Sequence, residues 1–248
     1  MAYQLTHSTD FTLTASDVTP ALEMPLSRLV TLVIDTATDH ANLLGIGFAT
    51  LRPHNASWIL GRLAVDIREM PTVGGTYALT TWIESASRLA SDRSFRLTDM
   101  KTGRTMATIH TVWMAIDLTT RRPVDLLGVI GHFKELVSPA DPEICRCCGL
   151  TLPKDTEVER SYEYTYRVSD IDVNRHVTTR RYIDMIVDLL PLETLLSHRI
   201  SRFDIAFKNE ACYGQTADVL LYSDGLAAIQ LDSGKTAAIA RIELEARS

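Results

Sequence analysis

The chain has 248 residues, 46% of them hydrophobic and 23% charged, with a formal net charge of −6. This is the balance of an ordinary globular protein. It excludes disorder, collagen and coiled coil as the dominant state, and the acidic sum counts against a nucleic-acid partner.

The opening MAYQLTHSTD lacks a basic segment followed by an apolar core, the pattern of a secretory signal. Apolar runs such as Leu29 to Ile34 fall far short of the ~20 residues that span a bilayer. A cytoplasmic protein with reduced thiols and no membrane partner is expected. A strand is predicted over residues 11–14. A long, mostly buried helix is predicted over 26–43, where apolar residues recur at helical spacing. Strands follow over 58–67, 76–84, 94–98 and 104–117. Residues 122–159 carry Pro123, Pro139, Pro142 and Pro153 and read as an inter-domain connection, with a short amphipathic helix over 124–136. A second series follows: a strand over 161–168, a helix over 177–195, and strands over 202–208, 217–222, 226–231 and 236–245. Glycine-containing turns in LTDMKTGRTM, YSDGLA and LDSGKT separate the strands.

The two series are copies of one unit. SDVTPALEMPLSRLVTLVID, from Ser16, matches SDIDVNRHVTTRRYIDMIVD, from Ser169, at an offset of 153; Asp17/Asp170, Arg28/Arg181 and Asp35/Asp188 coincide. GRLAVDIREMPTVGGTYALTTW, from Gly61, matches SRFDIAFKNEACYGQTADVLLY, from Ser201, at an offset of 140; Arg62/Arg202, Gly74/Gly214 and Thr76/Thr216 coincide. The difference of 13 residues puts a longer helix-to-strand connection in the first copy, over 42–57. One helix with several strands per copy is an α+β pattern, an antiparallel sheet packed on the helix. Two such copies can cover each other's exposed edges.

GxSxG, GxxxxGK[ST], HExxH and GxGxxG are all absent. Three of the four cysteines, Cys145, Cys147 and Cys148, crowd into ICRCCGL, whose spacing lacks the second pair a zinc site needs. No metal is expected. Arg88, Arg93, Arg96, Lys101 and Arg104, and likewise Arg175, Arg180 and Arg181, form local basic clusters. Each reads as a solvated face or as a docking surface for an acidic partner.

The segment from Asp170 to Tyr182 joins a predicted strand to a predicted helix. Asp172, Asn174 and His176 alternate there, so an extended lead-in points a carboxylate, an amide and an imidazole to one side. N–H groups around Val177 to Thr179 can stabilise a developing oxyanion. The first copy has Thr19, Ala21 and Glu23 at these places, so the set is not a requirement of the scaffold. The plainer alternative is a helix cap beside a surface histidine. Glu210, in FKNEACYGQ, stands where the first copy has Met70 and can act as a general base. Cys212, two residues on, competes for the same place as a nucleophile and is disfavoured.

SDIDVNRHVTTRRYIDMIVD resembles the DxNxHVNNxxYxxW region of acyl-acyl-carrier-protein (acyl-ACP) thioesterases. KNEACYGQ is similar to their later strand with a catalytic glutamate, and WILGRLAVDIREMPTVGGTYALTTW and VWMAIDLTTRRPVDL resemble their first domain. The resemblance implies a tandem (double) hot-dog fold: an acyl-binding domain over residues 1–137, a linker over 138–159 and a catalytic domain over 160–248. It implies hydrolysis of fatty acyl-ACP without metal, nucleotide or other cofactor, with Asp172, Asn174, His176 and Glu210 as the catalytic set. Where the family is described with a cysteine directly after the glutamate, this chain has Ala211, which favours water activated by Glu210. The HVNN of the family is HVTT here. Open alternatives are a hot-dog thioesterase acting on acyl-CoA and a non-catalytic acyl-binding protein. A homodimer is open too.

Overall fold

In the computed structural model, which describes residues 3–152 and 156–247, each copy of the repeat folds as a strand, a helix and four further strands. β1 (Thr6–Thr12) leads through a 3-10 turn to α1 (Leu26–Leu43). A short α2 (Phe48–Leu51) precedes β2 (Ala56–Ile67), β3 (Thr76–Ala86), β4 (Ser91–Asp99) and β5 (Thr105–Asp117). After α3 (Leu126–Val129) the pattern repeats as β6 (Val158–Thr165), α4 (Thr179–Val187), α5 (Leu192–Ser197), β7 (His198–Phe207), β8 (Thr216–Tyr222), β9 (Leu226–Leu231) and β10 (Thr236–Ala246). Pro153, part of the predicted connection, lies outside the described residues.

The strands form one antiparallel sheet in the order β1-β3-β4-β5-β2-β7-β10-β9-β8-β6. The second half of that order mirrors the first, so the two copies meet where equivalent strands pair. At this seam Arg62 faces Ala206, Ala64 faces Asp204 and Asp66 faces Arg202. Ala64 and Asp204 are equivalents under the offset of 140, and the pseudo-twofold axis passes between them. α1 starts at Leu26 and α4 at Thr179, again equivalents, at the offset of 153.

Both helices lie on one face of the sheet and pack on each other. One core joins Leu29 and Val33 of α1, Ile183 and Ile186 of α4, and Phe95, Phe203 and Ile229 of the sheet. This is the tandem hot-dog arrangement. The connection crosses the opposite face. Arg96 Nη2 lies 2.5 Å from Asp141 Oδ2, the N–H of Cys145 donates to Thr108 Oγ1 at 3.2 Å, and the N–H of Cys148 donates to Asp204 Oδ1 at 3.2 Å. The ICRCCGL thiols therefore belong to a strap laid over both copies. Burial pushes the Cys147 thiol up to about 12, so it stays protonated.

The strands expected over 161–168 and 202–208 begin three and four residues earlier, and three further elements depart from expectation. The helix predicted over 177–195 is two: α4 stops at Val187 and α5 restarts after Pro191, because the residue before a proline is driven out of helical geometry. The helix predicted over 124–136 is α3 plus a separate 3-10 turn, Phe133–Leu136. The first strand lies earlier than predicted. It is an edge strand whose polar residues alternate between half-buried and exposed, and among the described residues it pairs only with β3.

Candidate active site

Two of the identities shared by both copies, Asp17/Asp170 and Arg28/Arg181, turn out to be structural. Arg181 Nε lies 3.2 Å from Asp170 Oδ1, and Arg28 Nε lies 3.2 Å from Asp17 Oδ1. In each copy this pair ties the 3-10 turn after the first strand to the start of the helix. In the second copy the pair is more deeply set. Asp170 is buried and also accepts from the Tyr164 hydroxyl at 3.1 Å and the Arg167 N–H at 2.7 Å.

On that base sits the segment special to the second copy. It is not extended as predicted. Asp172 Oδ1 accepts the N–H groups of Asn174 at 2.8 Å and His176 at 3.1 Å, which makes a tight turn. Asp172 N–H donates to His176 O at 2.8 Å, and Arg175 closes the loop at φ 66°. The Asn174 side chain is bonded only to Asp172, at 3.4 Å, among the described residues. The N–H of Val177 donates to Ala211 O at 2.9 Å and that of Thr178 to Asp170 O at 2.8 Å. These two donors, expected to be free, are already engaged. The Thr178 hydroxyl accepts from Arg181 N–H at 3.2 Å and caps α4.

Glu210 lies in the loop after β7. The loop is joined to the turn through the Val177–Ala211 bond and through Tyr182, whose hydroxyl accepts the buried Ala211 N–H at 3.0 Å. Burial pushes the Tyr182 phenol up to about 12, so it is neutral. This stitching brings Glu210 Oε2 to 3.4 Å from His176 Nε2, with both side chains partly open to solvent. Cys212 is exposed. Its backbone bridges that of His176, and its N–H donates to Gln215 Oε1 at 2.8 Å. A further group reaches the site that the sequence reading did not single out: Arg121, in the turn after β5 of the first copy, forms an ion pair with Glu210 Oε2. The only signal for it was the TTRRP run, and nothing local shows that this turn meets the other copy.

Beside α1 lies a cavity of about 150 Å3, lined by Ala37, Ala41, Trp58, Trp113 and Phe133 with Arg93 in its wall. Ala206 stands opposite Arg62 at the seam, so the chain leaving β7 toward Glu210 runs toward the start of β2, where Ser57 and Trp58 line the cavity. Arg93 is buried, and among the described residues no carboxylate pairs with it. Its Nη1 bonds His40 Nδ1 at 2.8 Å and Thr81 Oγ1 at 3.3 Å. The basic clusters are largely spent within the molecule: Arg88 on Asp125, Arg96 on Asp141, Arg104 on Glu69 and Arg180 on Asp184. Among the described residues no group of three or more His, Cys, Asp or Glu is placed to hold a metal ion. No helix there is long and apolar enough to cross a membrane.

The molecule is thus a tandem hot-dog with an imidazole and a carboxylate gathered in one copy and a mainly apolar cavity in the other. Comparison gives the family. Residues 4–130 match the acyl-ACP thioesterase N-terminal domain and residues 153–244 its C-terminal domain. The chain belongs to the acyl-ACP thioesterase family.

Among its relatives, the palmitoyl-acyl carrier protein thioesterase of Gossypium hirsutum is 28% identical over 206 residues, covering 79% of this chain and 48% of that one. The dodecanoyl-[acyl-carrier-protein] hydrolase of Cinnamomum camphora is 26% identical over 224 residues, covering 86% of this chain and 57% of that one. The chain thus spans about half the length of the curated relatives it matches. An acyl-ACP thioesterase structure from Bacteroides thetaiotaomicron superposes with a TM-score of 0.84 at 27% identity, over 97% of this chain and 98% of that one. The 12:0-ACP thioesterase of Umbellularia californica gives a TM-score of 0.84 at 22% identity, over 98% and 95%.

Proposed function

We propose that this chain hydrolyses fatty acyl-ACP to free fatty acid and ACP, with residues 1–137 holding the acyl chain and residues 160–248 supplying the catalytic groups. The observation that carries the reading is the 3.4 Å approach of His176 to Glu210, in the copy whose counterpart has Glu23 and Met70 at those places.

The acyl chain lies in the cavity beside α1, and the phosphopantetheine arm brings the thioester to the boundary between the copies. Glu210 takes a proton from a water held with Asn174, and the water oxygen adds to the thioester carbonyl carbon. The developing oxyanion is met by N–H groups at the start of α4. With Val177 and Thr178 engaged, that role falls to Thr179 and Arg180. Collapse of the adduct breaks the C–S bond, and the thiolate takes back the proton through His176. Asp172 holds the turn that presents Asn174 and His176. Water is the only co-reactant. The four unpaired cysteines fit a reducing, cytoplasmic setting.

Glu210→Gln and His176→Ala are each expected to lower the turnover of acyl-ACP by roughly 100-fold or more, with an unchanged circular dichroism spectrum. Wild-type turnover in both variants would overturn the assignment. Assaying acyl-ACP and acyl-CoA side by side fixes the carrier, and release of no free acid from either would leave acyl binding alone.

A further inference from the structure

The turn that carries Arg121 is built to hold its shape. Asp117 Oδ1 accepts the N–H groups of Thr119 at 3.0 Å and Thr120 at 2.6 Å. The N–H of Arg121 donates to Asp117 O at 2.9 Å, and Asn55 braces the turn through Thr119 Oγ1 at 2.9 Å. Arg121 itself takes the left-handed conformation, φ 60°, which a residue with a side chain rarely adopts. The strained residue is the one that reaches across to the other copy.

Two features separate this contact from an ordinary surface ion pair, which adds little to stability. The first is which oxygen is used. Arg121 and His176 both approach Oε2 of Glu210. The second is the repeat. Just after β10, the counterpart of β5, Arg247 reaches back into the first copy and clamps Glu23 with contacts of 2.5 and 2.8 Å. Under the offset of 153, Glu23 is the counterpart of His176. Each copy thus sends an arginine from just past its last strand into the other: Arg247 into the strand–helix junction of the first copy, and Arg121 to the loop that is bonded to the strand–helix junction of the second. In the first copy that arginine closes on Glu23. In the second it meets a carboxylate that already has an imidazole beside it.

We propose that Arg121 is a positioning residue: it pins Glu210 by Oε2 so that Oε1 is presented to the attacking water, and the hydrolytic site is complete only when both copies contribute. This rests on the reading of Glu210 as the base. A base held within reach of its water but free to rotate loses much of its rate, since small misplacements cost up to about 100-fold.

The test is steady-state hydrolysis of acyl-ACP by the full chain carrying Arg121→Gln, Arg121→Lys, Glu210→Gln, and Arg121→Gln with Glu210→Gln, with the melting temperature of each. Arg121→Gln is expected to lower kcat roughly 10- to 100-fold with KM within about threefold of wild type. Arg121→Lys, which keeps the charge, should recover part of the loss. The double variant should be no slower than Glu210→Gln alone, because an arginine that acts through a carboxylate has nothing left to position. Wild-type kcat in Arg121→Gln beside an inactive Glu210→Gln would overturn the role of Arg121 and leave the base in place. Losses that multiply in the double variant would overturn positioning through Glu210. Wild-type turnover in Glu210→Gln would instead remove the base itself. If Arg121→Gln melts early, Arg121→Lys decides: full kcat and partial kcat support the proposal, and a loss equal to that of Glu210→Gln at wild-type melting temperature overturns it.

Discussion

His40 and Arg93 face each other inside the first copy, and among the described residues no carboxylate pairs with Arg93. His40 Nδ1 takes the contact from Arg93 at 2.8 Å, and its Nε2 lies 2.9 Å from Gln4 O. A carbonyl can only accept, so the proton sits on Nε2 and the ring is neutral. Burial holds the imidazole down to about 4, against 6.5 in an open chain, and the neighbouring guanidinium works in the same direction. Burial also lowers Arg93, to about 9. The sign of the pH effect follows. Between pH 6.5 and about 4 the unfolded chain takes up a proton that the folded chain refuses, so stability falls as pH falls through that window. His40→Gln keeps one acceptor for Arg93 and one donor for Gln4 O but cannot titrate. It should melt at a temperature that declines less steeply from pH 6.5 to 4 than wild type does. Parallel curves for the two proteins would contradict the assignment. From the sequence, Arg93 was one member of a charged run, and its burial could not be read. β4 alternates its faces, and only the pairing order of the sheet decides which face the helix covers.

At the scale of the element, legibility follows how local the cause is. α1 was readable to its ends because its apolar spacing lies within the helix itself and Gly45 and Gly47 follow directly on its end. α4 was overdrawn by eight residues at its end because the apolar run continues through Leu189 and Leu190 while Pro191 forbids the helix to follow it. Asp172, Asn174, His176 and Glu210 were marked by the inequality between the copies, which is a sequence property. Arg121 and Tyr182 were not, because each acts through a contact made only in three dimensions. Tyr182 gives the clearest test at this scale. It sits in α4, and its hydroxyl is the partner of the Ala211 N–H in a fully buried place. Tyr182→Phe leaves that donor orphaned, at a cost of about 1–3 kcal/mol. It also loosens the link that fixes the Glu210 loop against α4. Lower stability in urea and a reduced kcat are expected together. A variant that loses stability but keeps full kcat would show that the Val177–Ala211 bond alone locates the loop.

The whole molecule is a closed pair rather than two modules on a string. β2 and β7 would be edge strands if the copies were apart, each exposing a row of unpaired N–H and C=O groups. Instead they pair through five residues centred on Ala64 and Asp204, while α1 packs on α4 over one shared core. The strap over 138–152 binds Arg96 of the first copy and Asp204 of the second, and Arg121 and Arg247 cross in opposite directions. A molecule joined in these ways should unfold in one transition, with fluorescence and circular dichroism midpoints coinciding in urea. Separation should be costly to both parts. Residues 1–137 and 160–248 produced alone are expected to aggregate through β2 and β7, and neither should hydrolyse acyl-ACP. Produced together, they should associate along the same seam and regain turnover, since Arg121 and Glu210 then meet again. A fragment 160–248 that stays monomeric, folds and turns over acyl-ACP at the rate of the intact chain would show that the second copy needs neither the seam nor the arginine that crosses it.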